Sequence, residues 1–422
     1  MEKQLNYDEH GKMTLWDELS AIDASKLRVL PWGAASIPPP DFFKDSINKA
    51  VQEMSVAEYQ YTPTCGTKNL RKVIVESFSG IAKYRNADPD RNVIVASGAI
   101  VVTEFALRAL INDSDDQVLC FEPYYPWHFM YLKYKGKIVF SKLKADAESM
   151  EFKIDYDDFR SKLNKNTKVV IFTNPNNPTA KVFSEEEYTK LTEILNEFPH
   201  VTIIEDSAYC VYLEKDSKLR YFHEFGNNIT KTLTVFSGGK IFNTTGIRVG
   251  WGFGCEELIS LIRDGYSDNP PPSCLEQKVF EFALPLALQP YQKCDNYWEF
   301  TKKDLELRVV YILNNINPIY LHNMNYQGTY YAAILIDTVT QQIEDKYYYR
   351  LDKPDVREPY RDKAFARKLI AEFKVGVLPL SALHNSNPKE DRFVRIAFNR
   401  NWEELVILMI ALQSFAWQQY LD

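Results

Sequence analysis

One lysine stands out because of its position and its neighbours. Lys240 comes directly after an apolar run, where an ammonium group is costly to bury without a purpose. Ser237 and Arg248 flank it, and both side chains can bind an anion, arginine being well suited to phosphate. A Walker-type phosphate loop is excluded, because Thr234 replaces its first glycine and Ile241 follows the lysine. The pattern favours a reactive amine beside an anion site over an ordinary loop lysine at the rim of a sheet.

Three further segments place polar groups at the ends of apolar runs. Residues 174–179 form an asparagine- and proline-rich turn. Asp206 follows an apolar run, and its carboxylate either pairs with a cation, such as a protonated pyridine nitrogen, or serves as a structural cap. Residues 97–100 join an apolar run to a helix starting near Val101, and the free N–H groups at such a junction bind anions. Each feature is weak alone, and residues 97–100 indicate an anion site.

The elements that must position these groups are short apolar runs separated by helical patterns. A helical pattern covers residues 101–111, and a Ser-x-x-Glu capping box at 184–187 starts another. This alternation predicts an α/β fold with a mainly parallel, doubly wound sheet, in which ligands bind at the carboxyl ends of the strands. The predicted strands are 93–96, 118–121, 169–173, 201–205, 233–236 and 249–253.

Differences in composition along the 422 residues of the chain predict two domains. Residues 46–302 are expected to form a large cofactor-binding domain. Residues 1–45 and 303–422, which are rich in Lys, Glu and Tyr, are expected to form a smaller α/β domain from both termini.

Composition excludes several classes of protein. A net charge of −7 argues against nucleic-acid binding. No run approaches 18 apolar residues, so no membrane span is expected. The six cysteines include no CxxC pair, which favours reduced thiols and predicts no metal site. With no secretory signal at the start, we expect a cytoplasmic protein.

Taken in order along the chain, these features resemble a known family. Asp206 lies 34 residues before Lys240 and Arg248 lies eight after it, as in the fold-type I pyridoxal-phosphate (PLP) enzymes, specifically the class I/II aminotransferases. The resemblance runs from about Trp16 to Arg395. It implies the PLP-dependent transferase fold, with a large and a small domain, and PLP as the cofactor. The residues that carry it are Gly98, Tyr125, Asn177, Asp206, Ser237, Lys240 and Arg248.

The resemblance also implies roles for individual residues around the cofactor. Lys240 would carry PLP as a Schiff base and later move the proton, while Asp206 would pair with the pyridine nitrogen. Tyr209 and Asn177 would hydrogen-bond the phenolic oxygen, and Tyr125 would stack on the ring. The residues implied to hold the phosphate are Gly98, Ala99, Ile100, Ser237, Arg248 and, from a partner subunit, Tyr61.

The implied substrate contacts are fewer. Arg395 matches the arginine that grips the substrate carboxylate bidentately, with Asn177 and the backbone of Gly33 beside it. Trp16 would lie over the substrate side chain, or else pack between domains. Two departures from the family pattern put loop geometry in doubt, namely Ala180 where glycine is common and the Gly238-Gly239 pair before the lysine.

Within the family, residues 38–42, 328–331 and 358–360 look most like kynurenine aminotransferases (glutamine transaminase K). The expected reaction moves an amino group from an aromatic or bulky apolar amino acid to an α-keto acid. The expected assembly is a homodimer with shared active sites, because Tyr61 resembles the residue that the partner contributes.

Three alternatives stay open at this point. A cysteine-S-conjugate β-lyase and a 1-aminocyclopropane-1-carboxylate-synthase-like enzyme would use the same cofactor. A catalytically silent regulatory protein of the same fold would not need the intact lysine, aspartate, tyrosine and arginine found here. A NAD-binding domain is disfavoured, because no GxGxxG follows an early strand.

Overall fold

The computed structural model describes most of the chain. Trp16 lies outside the described residues, so its predicted position over the substrate stays a prediction. The described residues are 18, 27–29, 33, 35–78, 87–129, 135–146, 148–215, 217–265, 270–316, 322–323, 325–336, 343–385 and 390–418.

An eight-stranded sheet forms the centre of the molecule. Its spatial order is β1-β8-β7-β6-β5-β2-β3-β4, in which β8 and β4 run antiparallel to their neighbours and the rest are parallel. The prediction of a mainly parallel α/β sheet is therefore confirmed. The strands are β1 (Val93–Ala96), β2 (Gln117–Glu122), β3 (Lys137–Asp146), β4 (Glu151–Ile154), β5 (Thr167–Thr173), β6 (Thr202–Asp206), β7 (Thr232–Ser237) and β8 (Gly250–Phe253).

Helices cover both faces of this sheet, because its strands are apolar on both sides. The capping box predicted at Ser184 is present, with Ser184 and Glu187 exchanging hydrogen bonds at the start of α5. The helices are α1 (Asp41–Glu53), α2 (Lys68–Ser77), α3 (Ala99–Leu110), α4 (Tyr156–Lys162), α5 (Glu185–Leu195), α6 (Gly238–Ile241), α7 (Glu256–Asp264), α8 (Cys274–Ala287), α9 (Tyr297–Asn315), α10 (Arg361–Phe373) and α11 (Trp402–Gln418).

A second, antiparallel sheet lies in the C-terminal part of the chain. It has the order β11-β12-β10-β9, with β9 at His322–Asn323, β10 at Tyr331–Leu335, β11 at Leu378–Pro379 and β12 at Phe393–Ala397. The predicted domain limits at 46 and 303 fall inside α1 and α9, so the division into two domains stays a prediction.

Alternation along the strands decides which groups reach the site. In β6, Ile203 packs into the core on one face of the sheet and Ile204 into the core on the other. Successive side chains point to opposite faces. Glu205 and Asp206, the last two residues of β6, therefore point in opposite directions, and both are buried.

Candidate active site

Neighbouring strands bring three polar termini together. The parallel strands β5, β6 and β7 are adjacent in the sheet and end at Thr173, Asp206 and Ser237. A cavity of about 120 Å³ opens at this edge. It is lined by Ala99, Ile100, Tyr125, Thr173, Asn177, Asp206, Ala208, Tyr209, Ser237, Lys240, Thr245 and Arg248.

Lys240 reaches this cavity from α6, the short helix that follows β7. Its Nζ donates to the carbonyl oxygen of Gly33 at 3.3 Å and lies 5.8 Å from the Tyr209 ring centroid and 5.7 Å from that of Tyr330. Burial lowers the pKa of the Lys240 ammonium below its usual 10.5. The hydroxyl of Tyr212 donates to the Lys240 carbonyl at 2.7 Å, which anchors the backbone that carries the amine.

Asp206 has a partner that the sequence analysis missed. Its Oδ2 lies 2.7 Å from Nε2 of His128, and both side chains are buried. Its Oδ1 accepts from the backbone N–H of Ala208 at 3.0 Å. His128 also packs edge-on against Tyr125, with ring centroids 5.1 Å apart. The one available signal for His128 was its place three residues after Tyr125, on the 3₁₀ turn Pro126–Phe129.

Another part of the cavity lining carries groups that can bind an anion. Gly98 precedes α3 with φ of 105°, a conformation that favours glycine. A Cβ at this position would come within 2.6 Å of Arg248 Nη2, so the guanidinium packs directly on the glycine. Ala99 and Ile100 are the first residues of α3, whose positive end lines the cavity beside Ser237.

A second cavity of about 270 Å³ adjoins the first. The linings of the two cavities share Tyr125, Asn177, Tyr209, Lys240 and Thr245, so these residues lie where the cavities meet. The second cavity is lined by Gly33, Tyr125, Pro126, Trp127, Asn177, Tyr209, Lys240, Thr245, Tyr331, Leu378, Leu383 and Arg395.

Asn177 lines both cavities. Its Nδ2 donates to the Tyr209 hydroxyl at 3.3 Å, and its Oδ1 accepts from Arg395 Nη1 at 2.7 Å. Arg395 is buried on β12, with its guanidinium carbon 3.8 Å from the centroid of the Tyr331 ring. The structure brings the predicted residues Asn177, Tyr209 and Arg395 together in the lining of one cavity, beside Tyr331, which was not among the predicted site residues.

Tyr331 shapes the floor of the second cavity. A Cβ at Gly33 would lie only 1.9 Å from the Tyr331 hydroxyl oxygen, so only glycine fits there. Burial alone would raise the pKa of Tyr331, but the positive charges of Arg395 and Lys240 lower it below 10. Tyr330 next to it donates to the Gly33 carbonyl at 2.9 Å. Both tyrosines lie in the motif at 328–331, which the sequence analysis singled out only as a subgroup signature.

Two remaining predictions have different outcomes. Tyr61 is 94% exposed and lines neither cavity, so within one chain it takes no part in the site. Ala180 adopts a φ of 64°, the left-handed conformation for which glycine is common at this position, and its N–H donates to the Asn176 carbonyl at 2.9 Å. The turn therefore keeps its shape without the glycine.

Three groups meet at one edge of the doubly wound sheet: a lysine amine, a buried carboxylate and a helix N-terminus that can bind an anion. This combination is typical of one class of cofactor-dependent enzymes. The match to the family model for class I and II aminotransferases covers residues 33–412. The chain belongs to this family.

Known relatives agree with that assignment. Bovine kynurenine–oxoglutarate transaminase 3 is 25% identical over 91% of this chain and 84% of that protein. Human kynurenine–oxoglutarate transaminase 1 is 26% identical over 87% of each chain. The solved methionine aminotransferase YbdL of Escherichia coli superposes with a TM-score of 0.81 at 20% identity, covering 94% of this chain and 97% of that one, which shows a common fold.

Class I and II aminotransferases depend on PLP, and so does this chain. The donor set fits the cofactor, because phosphate, pyridine nitrogen and aldehyde each require a different group and the cavity offers all three. Gly98, on which the Arg248 guanidinium packs, would leave room for the phosphate beside that guanidinium. In the part of the chain that the structure describes, no helix is long and apolar enough to cross a membrane.

Proposed function

We propose that this protein transfers the amino group of an aromatic or bulky apolar amino acid, kynurenine and glutamine included, to an α-keto acid. The observation that carries the proposal is the lining of the second cavity. Trp127, Leu378 and Leu383 line it beside a buried arginine, Arg395. An arginine binds the carboxylate that every amino acid has, and an apolar wall suits an uncharged side chain. The names of the bovine and human relatives point to kynurenine and oxoglutarate.

PLP, when bound, supplies an electron sink for the charge that develops at the substrate α-carbon. Asp206 would keep a pyridine nitrogen protonated, because a nearby negative charge favours the charged form. His128 would orient that carboxylate through the 2.7 Å contact. Tyr209 and Asn177 would bind a phenolic oxygen, and Tyr125 would stack on a ring. The phosphate ligands would be Ser237, Arg248 and the N-terminal backbone of α3, from Gly98 to Ile100.

Lys240 would move the proton at the substrate α-carbon. Burial lowers the pKa of its ammonium, so a larger share of the amine is neutral and can accept a proton near pH 7. Arg395 would hold the substrate carboxylate against Asn177 and the backbone of Gly33. This grip fixes the direction of the Cα–H bond relative to the amine, which is a positioning effect.

We further propose a cytoplasmic homodimer with shared active sites. The support is an exposed apolar segment around Tyr61, in which Val56 is 84% and Tyr59 67% exposed. Exposed apolar side chains grouped in this way mark interaction surfaces. A second copy of the chain would cover them and bring its Tyr61 towards the phosphate end of the cavity.

A transamination panel tests the proposed reaction. The purified protein is given PLP, single amino donors and 2-oxoglutarate or pyruvate, and the keto acid formed from each donor is quantified. We expect several aromatic and apolar donors to react, because each methylene changes discrimination by only about 1–3 kcal/mol. Aspartate should be a poor donor. No keto acid from any aromatic donor, or aspartate as the best donor, would contradict the proposal. Pyruvate and ammonia from a cysteine conjugate without net transamination would indicate a β-lyase.

A further inference from the structure

A second carboxylate lies buried beside the site, and none of the steps above uses it. Glu205 precedes Asp206 on β6 and has no exposed surface. Since it points to the opposite face of the sheet, it lies among aromatic side chains rather than in the cavity. Its aromatic neighbours in that core are Phe172, Phe183, Tyr188 and Phe222.

The carboxylate of Glu205 is held by neutral donors. Its Oε1 accepts from the Tyr188 hydroxyl at 2.6 Å, and its Oε2 accepts from the Phe222 N–H at 3.0 Å. Thr234 Oγ1 lies 3.5 Å from Oε2. Among the described residues, no lysine or arginine forms an ion pair with it. Burying a carboxylate that has no cationic partner costs free energy of folding, and a neutral side chain would avoid that cost. The presence of Glu205 here therefore indicates a role for its charge.

The Tyr188 hydroxyl connects Glu205 to the turn after β5. It accepts from Asn174 Nδ2 at 2.5 Å, while Asn174 Oδ1 accepts from the Phe183 N–H at 3.1 Å. The Asn174 backbone is anchored as well, because its N–H donates to the Asp206 carbonyl at 2.9 Å. Hydrogen bonds therefore hold both the side chain and the backbone of Asn174, the first residue of the turn.

The other end of the same turn forms the substrate grip. Asn177 lies three residues after Asn174 and binds both Tyr209 and Arg395. We infer that Glu205 is a positioning residue for the grip on the substrate carboxylate, acting through Tyr188 and Asn174 on Asn177. This inference rests on the proposed role of Arg395.

The link depends on the charge of Glu205. A hydroxyl donates more strongly to a carboxylate than to a neutral acid. Burial raises the pKa of Glu205 to about 7, although the hydrogen bonds from Tyr188 and the Phe222 N–H lower it. As the pH falls through 7, the carboxylate takes up a proton, its hold on Tyr188 weakens, and the grip loosens.

Other titratable groups face the same space and must be separated from Glu205. Tyr188 comes from α5, and Tyr221, His223 and Glu224 come from the segment before β7. Arg220 is paired with Glu224 at 2.5 Å. A Glu205→Gln variant isolates the carboxylate, because it keeps an acceptor for Tyr188 and cannot ionise.

The test measures binding of 3-phenylpropanoate, a carboxylate without an amino group, to the PLP-loaded enzyme at pH 8 and pH 6. For the wild type we expect the Kd to rise about fivefold at pH 6, the size of one net hydrogen bond. Glu205→Gln should change less than about twofold between the two pH values. Tyr188→Phe should bind about fivefold more weakly already at pH 8. The control Glu186→Gln, an exposed change on the same helix, should match the wild type.

Two outcomes overturn the inference: a wild-type pH response in Glu205→Gln, or wild-type binding at pH 8 in Tyr188→Phe. A merely structural role for Glu205 would lower stability without removing the pH response of the Kd. Failure of the proposed function looks different. In that case the probe would bind equally well to Arg395→Ala, or would not bind to the wild type.

Discussion

Arg395 donates to the amide oxygen of Asn177 at 2.7 Å, and this hydrogen bond joins β12 of the smaller sheet to the turn after β5 of the larger one. The grip proposed for a substrate carboxylate therefore needs residues from both sheets. The amide holds the guanidinium on one edge, and the face of the Tyr331 ring supports it 3.8 Å away. Arg395, a lining residue of the second cavity, is thereby held in place on two sides.

The first prediction concerns that cation. Arg395→Ala should lower kcat/KM by about 10- to 10²-fold for every donor, since a charged hydrogen bond contributes about 1.5–3 kcal/mol. The factor should be similar for all donors, because they share the α-carboxylate. The measurement is the donor panel with Arg392→Ala as a matched control outside both cavities. A loss restricted to one donor would show that Arg395 contacts a side chain instead.

The second prediction concerns covalent attachment. Borohydride treatment of the PLP-loaded protein should leave a pyridoxyl group on Lys240, located by peptide mass spectrometry. Lys240→Ala should lose this label and at least about 10²-fold in turnover, since it lacks the amine that moves the proton. Lys190→Ala, on the exposed side of α5, is the control. A label on another lysine would refute the assignment.

The third prediction concerns the electron sink. Asp206→Asn should still bind PLP but lower kcat by at least about 10²-fold, because a preorganised electrostatic partner is lost. The amide still offers an oxygen to His128, so the fold around the cavity should persist. Stopped-flow single turnover separates the chemical step from binding, with the exposed Asp157→Asn as control. An unchanged kcat would mean that Asp206 does not face the pyridine nitrogen.

The fourth prediction concerns assembly. Inactive Lys240→Ala and inactive Tyr61→Ala chains, mixed in equal amounts and allowed to exchange, should recover up to about a quarter of wild-type activity. Half of the dimers are then hybrids, and each hybrid has one whole site. Each variant alone serves as the control. A fully active monomer in sedimentation analysis would rule out shared sites.

The fifth prediction concerns stability and pH. The folded pKa of Glu205 is about 7, above the usual 4.5, so the folded protein binds the proton more tightly than the unfolded chain. Below pH 4.5 the protonation of Glu205 therefore does not change the free energy of unfolding. As the pH rises from 4.5 through 7, the free energy of unfolding falls by about 3 kcal/mol. Glu205→Gln should remove this loss. Urea unfolding at pH 5 and pH 8 measures the free energy of unfolding of both proteins. Relative to the wild type, the variant should be more stable at pH 8 than at pH 5. A constant difference between the two proteins would contradict the raised pKa.

The sequence by itself determined which polar side chains meet at one edge of the sheet. Lys240, Asp206 and Asn177 each follow an apolar run. The carboxyl ends of parallel strands lie at the same edge of a sheet, so these residues come close together. The spacing from Asp206 to Lys240 and Arg248 also indicated the family. The fold and the family could be predicted because each depends on local patterns and on one rule of sheet topology.

Only the tertiary structure decided which distant side chains complete the site. His128 meets Asp206 across 78 positions of the chain, and Tyr331 lies against Gly33 across almost 300. Hydrophobic periodicity in the sequence does not predict such contacts, because they depend on how distant elements pack against each other. The same holds for Glu205. Its sequence neighbour Asp206 lines the cavity, but alternation along β6 turns Glu205 into the aromatic core, where burial raises the pKa of its carboxyl.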